Sequence, residues 1–503
     1  MRRFLAIPAL LVSFCGFAQK KADPTKYAKT ITAEELKKKL SIIASAQMEG
    51  RETATPGQKR AAAFIEDYFK KIGLQPGTPD GYQLKYPVLQ DSLIETNLFI
   101  NGQSETAKSF ILNPVSYANG QWNTTNIVFV GFGVRDSATN INDFDGLDIK
   151  NKWVMVLDGL PADTTGKAAS GTAMGRVALR RKITDLTAKG AAGVLMMRMI
   201  LDPANAPKGN MYLKEKKAGM PIIYISPVLA QNILKSDAPG IKKLANFVHG
   251  VYPCNLSFSE KITTLHLESS DVLGILPGTD KKDEYVFVTG HYDHLGKQGN
   301  VIYYGADDDG SGTTGVLQIA TAFAKAKAAG NGPRRSMIFM TVSGEEKGLW
   351  GSEYYTDHPV VPLDSVSADL NIDMIGRIDP SYKGDSTNYV FAIGEDKMST
   401  ELPIITDSIN KKYLNMEIDR RYNDPKDPNR FYYRSDHYNF ARKGVPIIFY
   451  FNGVHPDYHR PTDTVDKINF PLMAKRAQLV FYTAWYMANK DAMLVRDIPL
   501  KPM

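Results

Sequence analysis

The stretch Met337-Ile338-Phe339-Met340-Thr341-Val342-Ser343-Gly344-Glu345-Glu346 joins an apolar run to two adjacent carboxylates, and a second glycine follows at Gly348. Such a run predicts a buried strand, and the glycines let the chain turn sharply at the carboxyl end, where open α/β sheets bind ligands. Two neighbouring carboxylates repel each other, but a metal ion can bind one while the other exchanges a proton. The stretch therefore predicts an α/β fold with a metal site at the sheet edge.

Four further candidate metal ligands follow predicted strands or lie in a loop beside them. They are His291 after 285–290, Asp373 after 368–372, His459 after 445–451, and Asp308 in the glycine-rich loop 305–312. Each has an ordinary alternative, since a loop histidine is commonly structural, a run of aspartates can form a solvated turn, and a glutamate pair can begin a helix. Independent surface residues have no reason to fall at the ends of successive strands, so the coincidence predicts one shared site.

The donor types narrow the choice of metal. Two histidines with three carboxylates favour zinc or a similar ion, whereas an all-oxygen set would indicate calcium or magnesium. Five ligands exceed the three that a catalytic zinc uses, and they fit two ions about 3.5 to 4 Å apart that share a carboxylate. Asp293 is placed to orient the His291 ring, and His294 is left as a spare ligand.

Five segments together resemble the co-catalytic di-zinc aminopeptidase family, which also contains glutamate carboxypeptidases and glutaminyl cyclases. The segments are His291-Tyr292-Asp293-His294-Leu295-Gly296, 305–312, 343–352, Asn371-Ile372-Asp373-Met374 and 458–464. The resemblance implies two Zn²⁺ ions per chain. Asp308 would bridge the ions, His291 and Asp373 would complete one site, and Glu346 and His459 the other. Glu345 would be the general base, and Asp293, which orients the His291 ring, counts as the second catalytic residue. Tyr458 would be a donor to the oxyanion, although a packed aromatic role for Tyr458 stays open.

The implied fold is α/β, a mixed-sheet zinc-exopeptidase (phosphorylase/hydrolase-like) domain with an inserted β-rich protease-associated domain. Strand-like runs without metal-type residues at their ends occupy 122–262, and segments 143–148 and 190–194 resemble a protease-associated domain. The alternative is that these strands extend the main sheet. The predicted division is a signal peptide at 1–18, a first peptidase segment at 19–121, the insertion at 122–262, and a second, metal-binding peptidase segment at 263–503.

The N-terminus predicts export, to the periplasm or outside the cell. Arg2 and Arg3 precede a short apolar run, and 16–18 offers small residues for cleavage. Cys15 follows Phe14, which argues against a lipid anchor, and no other run is long enough to span a membrane. Loss of the two arginines lowers the formal charge from +7 to +5, which is too small to indicate nucleic acid.

The predicted function is therefore an exported aminopeptidase that acts on peptide substrates. Three rivals share the motifs: a glutamate-carboxypeptidase-like enzyme, a non-catalytic binding relative, and a glutaminyl cyclase. A serine hydrolase is disfavoured because no Gly-x-Ser-x-Gly motif is present. Neither the preferred residue at the cleaved bond nor the oligomeric state follows from the sequence.

Overall fold

A computed structural model of the 503-residue chain describes residues 23–113, 119–136, 141–159, 173–201, 209–215, 219–235 and 247–499. The predicted signal peptide at 1–18 lies outside the described residues. Among the described residues, no helix is both long and apolar enough to cross a membrane.

The described residues form an α/β structure built on one large mixed sheet. Its longer strands are β1 (Gln83–Ile100), β2 (Phe110–Leu112), β3 (Gly120–Phe129), β4 (Trp153–Leu157), β5 (Gly193–Met197), β6 (Ile222–Ile225), β7 (Gly250–Leu276), β8 (Lys281–His291), β9 (Arg335–Val342), β10 (Val366–Ile372), β11 (Tyr389–Ile393), β12 (Glu417–Asp419) and β13 (Ile447–Phe451). The α-helices are α1 (Thr25–Ala28), α2 (Ala33–Ile43), α3 (Pro56–Lys71), α4 (Ala173–Ala188), α5 (Pro227–Leu234), α6 (Gly312–Ala328), α7 (Trp350–Asp357), α8 (Glu401–Tyr413), α9 (His437–Ala441) and α10 (Phe470–Asn489).

The strand order is β12-β11-β13-β10-β8-β9-β7-β3-β4-β5-β6-β2. Strands β9, β8, β10 and β13 are mutually parallel, whereas β7 runs antiparallel to β9. The sequence predicted these four segments as strands of a mixed sheet, and the structure confirms the strands and the mixed sheet. Their carboxyl ends lie at one edge of the sheet, and the candidate ligands come at or after these strand ends.

Both faces of this parallel region are covered, which explains its continuous apolar strands. Along β8, Val286 and Val288 face the core that α2, α3, α6 and α10 help to form, while Phe287 between them faces a second core with Tyr355 and Phe440. The alternation follows from the two-residue period of a strand. Helices on both sides therefore fix the sheet edge that carries the ligands.

The helix beginnings match local capping chemistry. The Thr32 side chain accepts the backbone N–H of Glu35 at the start of α2. Asn469 caps α10 in the same way by accepting the N–H of Leu472, with Pro471 in the first turn. These caps satisfy backbone donors that would otherwise lack a partner within the helix.

Residues 122–262 contribute most of β3, all of β4 to β6 and the first half of β7. Strand β7 pairs with β1 in a long antiparallel ribbon from Val272–Gln83 to Leu256–Ile100. This unit has its own cores on both faces of β4 and β5. The packing begins earlier than the predicted boundary at 121, because Leu98, Phe110 and Leu112 belong to one of these cores. Strand β1 is continuous, so the sequence shows no break at the point where its side chains begin to pack in this core.

Candidate active site

The structure brings the five predicted ligand positions together at the carboxyl edge of β9, β8, β10 and β13. His291 is the last residue of β8, and Asp373 directly follows β10. Asp308 lies in the turn Ala306–Ser311 before α6. His459 lies in the loop after β13 with a φ of 57°, a left-handed conformation that is uncommon for a residue with a side chain.

Two groups of side chains share Asp308. In the first group the Nε2 atom of His291 lies 3.3 Å from Asp308 Oδ1 and 3.6 Å from Asp373 Oδ1. In the second group the Nε2 atom of His459 lies 3.0 Å from Asp308 Oδ2 and 3.1 Å from Glu346 Oε2. The two oxygens of one carboxylate thus face different groups, which is the arrangement of a bridging ligand.

The donor atoms fit metal ions. Two donors on a tetrahedral zinc ion stand about 3.3 Å apart when each is about 2.0 to 2.1 Å from the metal. The distances within both groups lie close to that value. His291 Nε2, Asp308 Oδ2 and Glu346 Oε1 are buried atoms without a hydrogen-bond partner among the described residues, so a cation would satisfy them.

The electrostatics of the site follow from crowded carboxylates beside imidazoles. Burial raises the pKa of Glu346, but its neighbouring imidazoles pull the pKa down to about 2. Burial lowers the pKa of His459, yet Asp308 and Glu346 raise it to about 10. A divalent cation in the second group would replace the positive charge of the protonated His459 ring.

Glu345 differs from Glu346 in its surroundings. Burial and the adjacent acids Glu346 and Asp373 raise the pKa of Glu345 well above its usual range, against the opposing effect of His291. Its Oε2 atom lies 3.9 Å from His291 Nε2, and the residue lines an open pocket at the site. A carboxyl group with a raised pKa beside a metal site is suited to exchanging protons.

Asp293 lies beside the His291 ring, as predicted, but its backbone oxygen is nearer to the ring than its carboxylate is. The His291 Nδ1 atom lies 3.1 Å from the backbone oxygen of Asp293 and 3.6 Å from its Oδ1 atom. The carboxylate accepts the Thr53 hydroxyl at 2.7 Å and the Glu345 N–H at 3.2 Å. With Nδ1 engaged by Asp293, the Nε2 atom of His291 faces the first group.

Two further acids, to which the sequence assigned no role, hold the ligand loops by accepting backbone N–H groups. Asp309 accepts from His291, Gly312 and Met374, so it joins three loops of the first group. Asp463 accepts from Asp307 at 3.0 Å and from Asp308 at 3.2 Å. Both belong to segments that carry the family resemblance, but a hydrogen bond to a distant backbone leaves no pattern in the sequence.

Arg51 is fully buried and links the loop after His291 to the loop that holds Asp308. Its guanidinium donates to the backbone oxygens of Tyr292 at 2.6 Å, Gly305 at 2.9 Å, and Ile43 and Tyr304 at 2.8 Å each. Tyr292 follows the ligand His291, and Gly305 begins the turn that holds Asp308. One side chain therefore fixes the spacing between two ligand loops.

We expect Arg51→Met to destabilise the protein by several kcal/mol, because buried carbonyls left without a donor cost about 1 to 3 kcal/mol each. Urea unfolding of the metal-free protein measures this loss. Arg60→Met is a suitable control, since Arg60 is half exposed and its guanidinium pairs with Glu49. Equal stability of the Arg51 and Arg60 variants would contradict the anchoring role.

The pocket beside the ligands has a polar end and an apolar wall. Asp308, Glu345, Asp373 and Tyr458 form the polar end, and the remaining lining residues are Met374, Phe431, Arg434, Phe449, Phe451 and Val454. The Tyr458 ring stacks on His459 with centroids 3.9 Å apart.

His437 lies near this pocket but away from both ligand groups. It is buried and stacks on Phe449 with ring centroids 4.7 Å apart, and its Nε2 atom lies 2.8 Å from the backbone oxygen of Tyr432. Burial lowers the pKa of His437 to about 3. It is thus a neutral structural histidine in the wall behind the pocket.

Comparison with known proteins agrees with this site. Residues 271–484, which contain all five ligand positions, match the model of peptidase family M28. A probable leucine aminopeptidase of Arthroderma otae is 29% identical over 224 residues, covering 43% of this chain and 57% of that protein. A probable zinc metalloprotease of Pyrenophora teres f. teres is 27% identical over 260 residues, covering 44% and 52%. The chain thus spans about half the length of these curated relatives.

Solved structures resemble nearly the whole chain. An aminopeptidase from Aneurinibacillus matches with a TM-score of 0.57 at 18% identity, covering 95% of this chain and 99% of that one. A zinc aminopeptidase from Bacillus subtilis matches with a TM-score of 0.57 at 19% identity, covering 93% and 99%. At these identities the likeness shows the fold. The match to the model of peptidase family M28 covers residues 271–484, the region of the chain that holds the site.

Proposed function

We propose that this protein is a zinc-dependent aminopeptidase with two zinc ions per chain. The observation that carries the proposal is the sharing of Asp308 between two ligand groups, with Glu345 in the pocket beside them. His291 and Asp373 would complete one metal site, and Glu346 and His459 the other. The match to peptidase family M28 and the names of the curated relatives support the same activity.

When bound, zinc ions supply Lewis acidity, which polarises a carbonyl group and makes water more acidic. Glu345 would take a proton from the attacking water and pass it to the leaving amine. Tyr458, at the polar end of the pocket, would donate a hydrogen bond to the oxygen that becomes negative. The Met374 and Phe449 side of the pocket would hold the side chain of the residue that is removed.

The pocket bears on which end of a peptide is bound. An ammonium group needs acids, and three carboxylates line the pocket. A carboxylate needs a cation, and Arg434 lines the same pocket, which keeps a glutamate-carboxypeptidase-like activity as the second candidate. Arg377 is less suited to that role, because it pairs with Asp457 at 2.9 Å. In the proposed site Asp308 and Asp373 hold the metal ions and Glu345 exchanges the proton, so the free amino terminus is favoured by the names of the curated relatives rather than by the lining.

Acetylation of the N-terminus of a good test peptide is expected to block cleavage, because it removes the free amino group that an aminopeptidase requires. Amidation of the C-terminus should leave the rate nearly unchanged. Chromatography of the products from both peptides measures the difference. The reverse pattern would assign the protein to the carboxypeptidase branch and leave the metal chemistry intact.

The apolar wall predicts the side chain that is preferred at the cleaved bond. We expect leucine or phenylalanine in first position to be cleaved at least tenfold faster, in kcat/KM, than glycine, since each buried methylene contributes about 1 to 3 kcal/mol of discrimination. A panel of aminoacyl anilides measures this. Faster cleavage of glutamyl than of leucyl substrates would point to Arg434 as the dominant group instead.

The metal content distinguishes the remaining rivals. A non-catalytic relative needs no zinc, and a glutaminyl cyclase is expected to work with one ion. We expect two zinc ions per chain by elemental analysis of the metal-replete protein, and loss of activity with a chelator. Zinc content near zero would favour the non-catalytic relative.

We also propose that the protein is exported, with residues 1–18 as a signal peptide. The basic start and short apolar run of the sequence support this. The unit within 122–262 would be a protease-associated domain; its separate cores and the segments 143–148 and 190–194 support that proposal. Sequencing the N-terminus of the mature protein from the cell exterior or periplasm tests the first proposal.

A further inference from the structure

His294 is an additional buried imidazole at the second ligand group. Its side chain is inaccessible to solvent, and its Nδ1 atom lies 2.8 Å from Glu346 Oε1 and 3.8 Å from Asp308 Oδ2. Despite that short distance, the angle at Nδ1 is not that of a hydrogen bond, and Nε2 has no hydrogen-bond partner within the region of the chain that the structure describes. A buried imidazole without such a bond is costly unless another partner is present.

The surroundings of His294 hold its ring in this place. Gly305 has a φ of 53°, and a side chain there would come within 2.5 Å of the ring's Cγ and Cδ2 atoms. The backbone N–H of His294 donates to the oxygen of Arg51 at 3.3 Å, which ties it to the residue that joins the ligand loops. The ring is therefore enclosed against Glu346, with the His459 ring 5.8 Å away between centroids.

We propose that His294 is a fourth protein ligand of the second metal ion, through Nδ1. This inference rests on the two-metal centre proposed above. The second ion would then have His294, Asp308, Glu346 and His459, whereas the first has His291, Asp308 and Asp373. Four protein ligands are typical of closed zinc sites, and three of sites that keep a position free for water or substrate.

The two ions are then unequal. The closed second site binds zinc more tightly and keeps Asp308 and Glu346 in place, while the first site retains the open position. The competing explanation is that His294 only donates a hydrogen bond that orients Glu346. That role requires a donor at the Nδ1 position but not a zinc ligand there.

His294→Asn separates these roles, because an asparagine amide can donate to Glu346 from the place of Nδ1 but is a poor zinc ligand. We expect the tighter of the two zinc affinities to fall by about tenfold to a hundredfold or more. Loss of a residue that only hydrogen-bonds to a metal ligand already lowers metal affinity by about that factor, so loss of a ligand should lower it at least as much. Titration with chelators of graded affinity, followed by zinc analysis, measures it. His437→Asn is the matched control, because it is an equally buried histidine away from both groups.

Unchanged zinc affinity in a folded His294→Asn protein would overturn the inference. X-ray absorption of the unmodified two-zinc protein gives an independent measurement that needs no variant. Three imidazoles shared by two zinc ions are expected, whereas two imidazoles would also overturn the inference but leave the two-metal centre standing. A protein that binds no zinc would instead remove the proposed function itself.

Discussion

Glu345→Gln is expected to lower kcat by about a hundredfold or more, a barrier increase of about 2.7 kcal/mol or more, while two zinc ions remain bound. Glutamine keeps the size and hydrogen-bonding capacity of the side chain but cannot accept a proton from water. Glu345 is not among the side chains that form the two ligand groups, so metal binding should survive. Steady-state kinetics with elemental analysis of the same sample checks both effects.

Glu346→Gln is the matched comparison, because the two residues are adjacent and differ only in what they face. Its Oε2 atom lies 3.1 Å from His459 Nε2, so this variant should lose zinc from the second group and lose activity through that loss. Added zinc should restore some of its activity and none of the activity of Glu345→Gln. If the two variants behaved the other way round, the roles of the pair would be exchanged.

Asp308→Ala is expected to lose both metal ions and with them all measurable activity. Asp308 presents one oxygen to each group, at 3.3 Å from His291 and 3.0 Å from His459, so a single substitution removes a ligand from both. Asp373→Ala should weaken only the first site. Zinc analysis after gel filtration distinguishes these outcomes.

Asp307→Asn controls for disturbance of the Asp308 loop. The Asp307 carboxylate turns away from the metal groups and accepts the Gly376 N–H at 2.7 Å and the Ser311 hydroxyl at 3.0 Å. The asparagine oxygen can still accept a hydrogen bond, so zinc should be retained. An Asp308→Ala protein that kept one tightly bound zinc and full activity would refute the shared-ligand arrangement.

The features of the fold that the sequence predicted are those with a local physical signature. A short apolar run such as 337–342, followed by turn-forming glycines, predicts a buried strand, and the acids after it mark the carboxyl end of that strand. The five positions His291, Asp308, Glu346, Asp373 and His459 follow such signals, and the structure brings them together. Their proposed roles await the measurements above.

Other features depend on residues far apart in the chain and were not predicted. Arg51 donates to carbonyls more than 200 positions away, and Asp463 accepts N–H groups about 155 positions away. From the sequence alone, Arg51 and Asp463 could equally be charged residues on the surface. The packing of Leu98 with Phe110 and Leu112 likewise leaves no local pattern, since one strand, β1, serves two cores.

The antiparallel ribbon of β1 and β7 also determines how the segment between its two strands could be shortened or replaced. The two strands are antiparallel, with Leu93 opposite Ile262, so the segment between these two residues begins and ends at neighbouring points. Opposed residues in such a pair stand about 4.5 to 5.5 Å apart, a gap that a two-residue hairpin closes. Such a hairpin would keep the ribbon as far as Leu93 and Ile262, but it would remove Met211 and Leu213, which pack against the Trp350 cluster. A shortened chain, or one carrying a foreign module at this junction, therefore has to cover that apolar surface again.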